Sequence, residues 1–418
     1  MMVLFRYCQQ IAPGACFVHR RRIRNLPGED AMVRVDGIAS KLEQRLDIQK
    51  VPLNGGEPQD EWNRAPARIK VVGVGGGGCN TVRRMMAHSV RGVKYAMLNT
   101  DVKPLEQAQA LSGVNVDVVQ IGKRATRGWG AGGHAKVGEQ AAEESAEEVR
   151  RVLKDAELVF ITAGMGGGTG TGATPYVAHL AKEMGALVVG VVTTPFSFEG
   201  SRRRGDAISG VRRLRPYVDN LIVIHNDRLL RYMHHDAEML EAFRTADEVV
   251  TQGILSVSEL INVPGEINVD FADVRSIMGS PGGALMAIGE GAGKMGPVEA
   301  AKQAIRNPLL NLSIQDAKGV LFSVRGGHEV TLGGCNAAGQ LIRKVASKNA
   351  KIFFGMTVDY AMEGKVQLTL IATGLKEESW VGALSDLGSI GGGLKKLLPT
   401  FGLGKKKSGY TPLAAPRV

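Results

Sequence analysis

The chain has 418 residues, 44% apolar and 22% charged, enough apolar mass for roughly two or three ordinary domains and too little charge for a disordered chain. No apolar run reaches the ~18 residues that a membrane-spanning helix needs; the richest stretch, "ALVVGVVTTPF" at 186–196, is far shorter and reads as a buried strand. The formal net charge of +11 is spread along the chain with modest excesses at the two ends, which argues against a nucleic-acid-binding module.

Residues 1–66 show little periodic pattern and are expected to be a flexible extension and linker. The first 28 hold five Arg and no acid, which reads either as a targeting segment or as a misassigned start, with Met32 the alternative. "PLNGGEPQDEWNRAPA" (52–67) has linker composition. The cysteines Cys8, Cys16, Cys79 and Cys335 form no CxxC pair and no zinc-like cluster. They read as reduced thiols, and no protein-held metal centre is expected.

Order begins at "RIKVVGVGGGGCNTVRRMMAHSV" (68–90), where a β-branched run meets a glycine cluster and then a helical pattern carrying Val82, Met85, Met86 and Val90. "VKYAMLNTD" (93–101) is a second strand. Residues 156–195 read as strand, glycine loop, helix, strand, and "NLIVIHNDRLL" (220–230) as a further strand with a polar end. Buried strands alternating with helices predict a doubly wound, mostly parallel sheet. A long helix is predicted over 235–262. The strands at 318–327, 350–359 and 365–375, with a helix at 337–348, then suggest a smaller α+β domain. The tail 376–418 is basic and expected to be flexible.

The stretch "GMGGGTGTG" (164–172) has six glycines in nine residues and lies between a strand and a helix. Glycines let backbone N–H groups close on an anion, and a helix N-terminus adds about half a positive charge. This predicts a phosphate site, to which Thr169 and Thr171 offer hydroxyls. It is not a Walker A loop, for it has no lysine. "GVGGGG" (73–78) matches a dinucleotide fingerprint, so a nicotinamide-dependent oxidoreductase stands as the alternative. That reading needs an acidic ribose reader about 20 residues further on, and Asp101 is the nearest. Two glycine loops on neighbouring strand ends favour one polyphosphate gripped from both sides.

Further along, "NVDFADV" sets Asp270 and Asp273 three residues apart, on one face if a helix starts there, with Asn268 placed to cap it. The residues alone leave two readings open: a pair of working carboxylates, or acids favoured at a helix N-terminus.

Five segments in order, "GGGTGTG" (166–172), "VVTTPFSFEGSRRR" (191–204), "IHNDRLL" (224–230), "AFRTADEVV" (242–250) and "INVDFADVRSIM" (267–278), resemble the FtsZ family of bacterial cell-division GTPases in the tubulin/FtsZ superfamily. The resemblance spans about residues 68–375. It implies a GTP-binding domain at 67–262 that includes a long central helix, and a C-terminal α+β domain at 263–375 that carries a catalytic loop. It carries nucleotide-binding roles onto Gly76, Gly77, Gly78, Cys79 and Asn80 in a first loop, and Asn99, Thr100 and Asp101 in a second. Gly132 belongs to a third loop. Gly164, Gly166, Gly167, Gly168, Thr169, Gly170, Thr171 and Gly172 form the main phosphate loop. Pro195, Glu199 and Arg203 fall on the ribose side, and Asn226, Phe243 and Asp247 in a guanine pocket. The chemistry suits these roles: an aromatic face stacks on a purine, and a carboxylate accepts from the guanine N1–H and N2–H₂, which adenine lacks.

The resemblance further implies GTP or GDP as bound nucleotide, with Mg²⁺ or another cation beside it. It implies head-to-tail self-assembly in which Asp270 and Asp273, supported by Asn268, complete the GTPase site of a neighbouring molecule. The expected setting is a ring at the mid-cell division site, in the cytoplasm beneath the inner membrane. Division-ring adaptors are expected partners through the tail, where "LLPTFGLGKKK" (397–407) loosely echoes an adaptor-docking peptide; attraction to an anionic lipid surface and a merely solvated tail stand beside that reading. One departure is plain. The third loop, commonly GAGANPEVG in the family, reads "GAGGHAKVG" (130–138), with His134, Ala135 and Lys136 in place of Asn-Pro-Glu.

Overall fold

The computed structural model describes residues 62–375, apart from 89, 91, 110–115, 230–237, 281 and 308–313. The arginine-rich start, Cys8, Cys16 and the tail with its adaptor-like peptide lie outside the described residues.

The first half is wound as the alternation predicts. β1 (Ile69–Val74) leads directly into α1 (Gly75–Met85), then β2 (Val93–Asn99), α2 (Val102–Gln109) and β3 (Val116–Gln120). Two helices that the sequence reading had not singled out follow, α3 (Ala135–Glu144) and α4 (Ala146–Leu153). β4 (Leu158–Gly164), α5 (Gly168–Glu183), β5 (Leu187–Thr194), α6 (Ser201–Leu214) and β6 (Asn220–His225) complete the half. Residues alternate between faces. Ile69 and Val71 pack on α1 and the central helix, while Val72 and Val74 pack on α3–α6. Helices on both faces bury both sides of the sheet, which is why its strands read as continuous apolar runs.

The central helix α7 (Met239–Asn262) buries Ala242, Ala246, Val250 and Ile254 at fourfold spacing, and is apolar on more sides towards its end, where it is sandwiched between the two halves. Its last residue acts as a clamp. The Asn262 amide accepts from Ala67 N–H (3.1 Å) and donates to the carbonyls of Ala67 (3.0 Å) and Gly92 (3.2 Å).

The second half contains α8 (Phe271–Met278), β7 (Gly283–Ala292), α9 (Gly296–Ile305), β8 (Gly319–Gly326), α10 (Leu332–Val345), β9 (Lys351–Val358) and β10 (Lys365–Leu375). It is not a detached sheet. One ten-stranded sheet runs β3-β2-β1-β4-β5-β6-β7-β10-β8-β9. β1–β6 are parallel, β7 joins through the single bridge Ile222–Ala284, and β10 lies antiparallel to both β7 and β8. Arg325 ties the halves together, meeting Glu259 of α7 (3.2 Å) and Asp359 (2.6 Å).

Candidate nucleotide site

A cleft of about 510 Å³ opens over the C-terminal ends of the parallel strands, where ligands of open α/β sheets bind. It gathers Gly76 from the first loop, Asn99 at the end of β2 and Asp101 just after it, Gly132 from the third loop, and Gly166, Gly167, Gly168 and Thr169 at the start of α5. Arg203 also lines it.

The glycine loop is shaped by contacts that exclude side chains. A Cβ on Gly170 would overlap the Gly164 carbonyl oxygen, and one on Gly168 would come within 2.8 Å of the Ala131 Cβ. Gly166 sits at φ +99, which favours glycine. Gly167 differs. A Cβ there meets nothing within 4 Å, and its φ of −93 suits any residue. The two threonines also differ. The Thr169 hydroxyl lies 2.6 Å from that of Thr100, whereas the Thr171 hydroxyl accepts from Gly166 N–H (2.8 Å) and so braces the loop. Pro175 leaves the Thr171 carbonyl without its helical donor, and Arg213 donates to it instead (3.3 Å).

A second helix converges on the cleft. α3 begins at Ala135 with His134 as its N-cap, and it packs backbone to backbone on α5: a Cβ on Gly172 would overlap the Ala135 carbonyl, and one on Gly138 the Gly168 carbonyl. The N-termini of α1, α3, α5 and α6, each worth about half a positive charge, therefore border one cavity. Arg202 and Arg203 add full charges and Asp206 a carboxylate; among the described residues no lysine lines the cleft. His134, Arg202 and Asp206 were not among the residues expected to bind. The glycine run of the third loop, where Gly130, Gly132 and Gly133 all have positive φ, was the signal for His134; Arg202 and Asp206 stand on α6.

The other expected binding residues surround the cleft. Gly77 and Asn80 are exposed on α1, and Gly78 and Cys79 are buried in it. The Cys79 thiol points to the core, and burial pushes it up to about 12, so it stays protonated at neutral pH. Pro195 is buried beside Gly166. Glu199 accepts from Phe196 N–H (2.9 Å) and pairs with Arg203 (2.6 Å). Asn226 is buried, and its side-chain oxygen has no hydrogen-bond partner among the described residues. Phe243 presents its half-exposed ring beside Phe196, edge-on at 5.2 Å. Asp247 is already engaged: it accepts from the Thr81 hydroxyl (3.0 Å) and pairs with Arg84 (3.0 Å). Burial raises its carboxyl against the pull of that arginine. A carboxylate has about four acceptor positions, so some remain for a base.

The acid pair lies elsewhere. Asp270 is the N-cap of α8, just outside the helix, and Asp273 is in its first turn. Neither carboxylate has a hydrogen-bond or ion-pair partner among the described residues. Asn268 does not cap α8, contrary to expectation. Its side chain accepts from Gly265 N–H (2.7 Å) and closes the preceding turn instead. The pair follows the end of α7, whose Asn262 touches the residues that precede β1 and β2. That is the opposite end of the sheet from the cleft. The 24 residues of α7 span about 36 Å at 1.5 Å each.

The tubulin/FtsZ family model for the GTPase domain matches residues 68–234, and the FtsZ family C-terminal domain matches 282–376. An empty FtsZ dimer from M. jannaschii is 40% identical, with a TM-score of 0.70 over 76% of this chain and 91% of that one. The chain belongs to the FtsZ family. A mutant of the M. jannaschii FtsZ is also 40% identical, with a TM-score of 0.69 over 74% of this chain and 91% of that one. CetZ2 from Haloferax volcanii, solved as a GTPγS-bound protofilament, shares the fold at 19% identity, with a TM-score of 0.64 over 79% of this chain and 99% of that one. As an FtsZ-family member the chain is a GTPase, and the oxidoreductase alternative falls. No helix among the described residues is long and apolar enough to cross a membrane.

Proposed function

We propose that this GTPase binds GTP in the cleft, stacks head to tail, and hydrolyses GTP only where two molecules meet. The single observation that carries this reading is the separation of the two half-sites. The phosphate cradle opens at one end of the parallel sheet, and two unpartnered carboxylates stand at the other. A group that positions water at a terminal phosphate must come within hydrogen-bond reach of that water. One molecule cannot bring Asp270 and Asp273 to its own cleft across the length of α7, whereas a second molecule stacked on the first can. Such contacts between unlike faces do not close on themselves and generate filaments. The FtsZ dimer and the CetZ2 protofilament are precedents for assembly in related chains.

Each half then has its own work. Loop N–H groups and the helix N-termini hold the phosphates, with Glu199 and Arg203 on the ribose side. Phe243, Asn226 and Asp247 take the base, with the carboxylate selecting guanine. Asp270 and Asp273 of the arriving molecule orient water, with Asn268 holding their loop. Positioning and electrostatics carry most of phosphoryl transfer. Among the described residues no group of three or more His, Cys, Asp or Glu side chains could hold a metal alone. Asp101 and Asp206 do offer the cleft hard oxygen donors, so Mg²⁺ fits as an ion that arrives with the nucleotide and neutralises phosphate charge. In the cell these filaments form a cytoplasmic division ring at mid-cell, with the tail engaging adaptors.

Two dead variants test the shared site. Gly167→Asp puts a carboxylate into open cradle space without backbone strain and is expected to abolish GTP binding. Asp270→Ala is expected to bind GTP normally and lose turnover by at least about a hundredfold, the scale of a lost transition-state contact. Mixed in equal amounts, they should recover a substantial part of wild-type phosphate release, because the second protein's nucleotide meets the first protein's intact Asp270. A mixture as inactive as its components sinks the proposal.

A further inference from the structure

Between α7 and α8 the chain must turn and still deliver Asp270 and Asp273 to the surface. β9 ends the sheet among the described residues: one side pairs with β8 along its whole length, and the other is an edge. The loop before α8 meets that edge at one point. Ile267 N–H donates to the Met356 carbonyl (3.3 Å), and Met356 N–H donates to the Ile267 carbonyl (2.9 Å), an antiparallel bridge of a single residue pair. Two glycines permit the approach. A Cβ on Gly265 would come within 2.5 Å of the Met356 carbonyl oxygen and 3.2 Å of the Thr357 hydroxyl, and one on Gly355 would overlap Leu260 of α7.

We infer that Gly265 and Met356 are positioning residues for GTP hydrolysis: their contact seats the acid loop on β9 and fixes which way Asp270 faces. This rests on the reading of Asp270 and Asp273 as the acid half of a shared site. Around the bridge, exposure alternates along the chain. Glu266 is exposed, Ile267 half-buried, Asn268 exposed, Val269 buried in the core and Asp270 exposed. That is the two-residue period of extended chain, in which neighbours face opposite ways. A slip of one residue against Met356 would turn every side chain over. Val269 would go to solvent and Asp270 inward. The bridge and the burial of Val269 both oppose this slip.

A loop laid on an edge strand also protects it from pairing with other chains. Protection needs coverage and no particular register, whereas aiming a carboxylate needs both. Asn268 supplies a contact that depends on register: its side chain accepts from Gly265 N–H (2.7 Å), closing the turn two residues before Asp270. None of Gly265, Ile267 and Met356 lines the nucleotide cleft. Loosening the seat should therefore cost turnover and leave GTP binding alone. The Met356 N–H is spent on the loop and not on β8. Proline, which lacks that group, can therefore stand at 356 without opening the β8–β9 ladder.

The test measures phosphate release by the full chain, alone and in half-site mixtures. Gly265→Ala pushes the loop off the Met356 carbonyl, and Met356→Pro removes the 2.9 Å hydrogen bond from the strand side. Each variant is expected to melt and bind GTP as wild type does and to keep its KM for GTP. Each should lose at least about tenfold in kcat, since a misplacement of about 1 Å can cost about a hundredfold. Mixed with Gly167→Asp, whose acid half is intact, each should recover release; mixed with Asp270→Ala, which shares the defect, neither should. A general loss of fold predicts recovery in neither mixture, and damage to the cleft predicts recovery with Asp270→Ala instead. Either pattern in both variants, or wild-type kcat, overturns the inference. The two levels stay separate. If Gly167→Asp and Asp270→Ala do not recover each other, the shared-site reading fails and this inference with it. If they do, while Gly265→Ala and Met356→Pro turn over GTP at the wild-type rate, only this inference fails.

Discussion

His225 is buried, with one hydrogen-bond contact among the described residues. It ends β6, its Nδ1 lies 3.2 Å from the Thr194 hydroxyl, and desolvation with a push from Arg228 lowers it to about 4. Above about pH 6.5 the ring is neutral in both folded and unfolded chains and contributes no pH dependence. Below that, the unfolded chain binds a proton that the folded ring refuses, so stability declines with falling pH until about pH 4, where the folded ring titrates too. The full loss is on the order of 3 kcal/mol. Urea-unfolding midpoints for wild type and His225→Gln, taken between pH 7.0 and 4.5, check this. The variant should lose less stability on acidification, and parallel curves would refute it. Asp247 has the opposite character, a buried carboxyl raised by desolvation yet held by Arg84 and Thr81. Nothing in "AFRTAD" announces those partners, which come from a helix about 165 residues earlier in the chain.

At the scale of elements, the site depends on how closely α3 and α5 approach. Gly172 allows this, because a Cβ there would overlap the Ala135 carbonyl. Gly172→Ala is expected to push the helices apart at a cost of about 1–3 kcal/mol, the usual range for overpacking. It should also weaken nucleotide binding, although Gly172 itself is buried and does not line the cleft. Gly167→Ala, whose Cβ enters open space, should leave the melting temperature near wild type. Melting curves with and without nucleotide compare the two; equal effects would show that the helix contact does not matter. The glycine loop of the cleft was legible in the sequence because it is local: a strand end, a glycine run and a helix start are consecutive. The N-terminus of α3 was not, since its relation to the cleft is made by Gly138 and Gly172 packing across the chain. Nor were β7 and α9 singled out, for their glycine- and alanine-rich segments carry weak propensity and take their identity from pairing with β10 and packing on it. Asn268 was misread because Asp270 sits closer to the true helix start, leaving Asn268 to close the turn before it.

At the scale of the whole molecule, α7 would, in the proposed reading, hold the two half-sites apart. Its start carries Phe243 and Asp247, its end is clamped by Asn262, and Arg325 fixes its side to the second half through Glu259. Phosphate release per molecule should therefore rise with chain concentration and fall towards zero as molecules become isolated, while GTP binding per molecule stays constant. Release per molecule that is constant down to the most dilute sample would mean that each chain is catalytically complete. Because β1–β6 all run in one direction, the cradle and the acid pair lie at opposite ends of every copy. In the proposed stack the two tips then cannot be alike. One terminal molecule keeps its GTP beneath no carboxylates, and the other offers carboxylates to no GTP. Chemical age would increase from one tip to the other, so a filament of identical parts would acquire a front and a back from the direction of its strands.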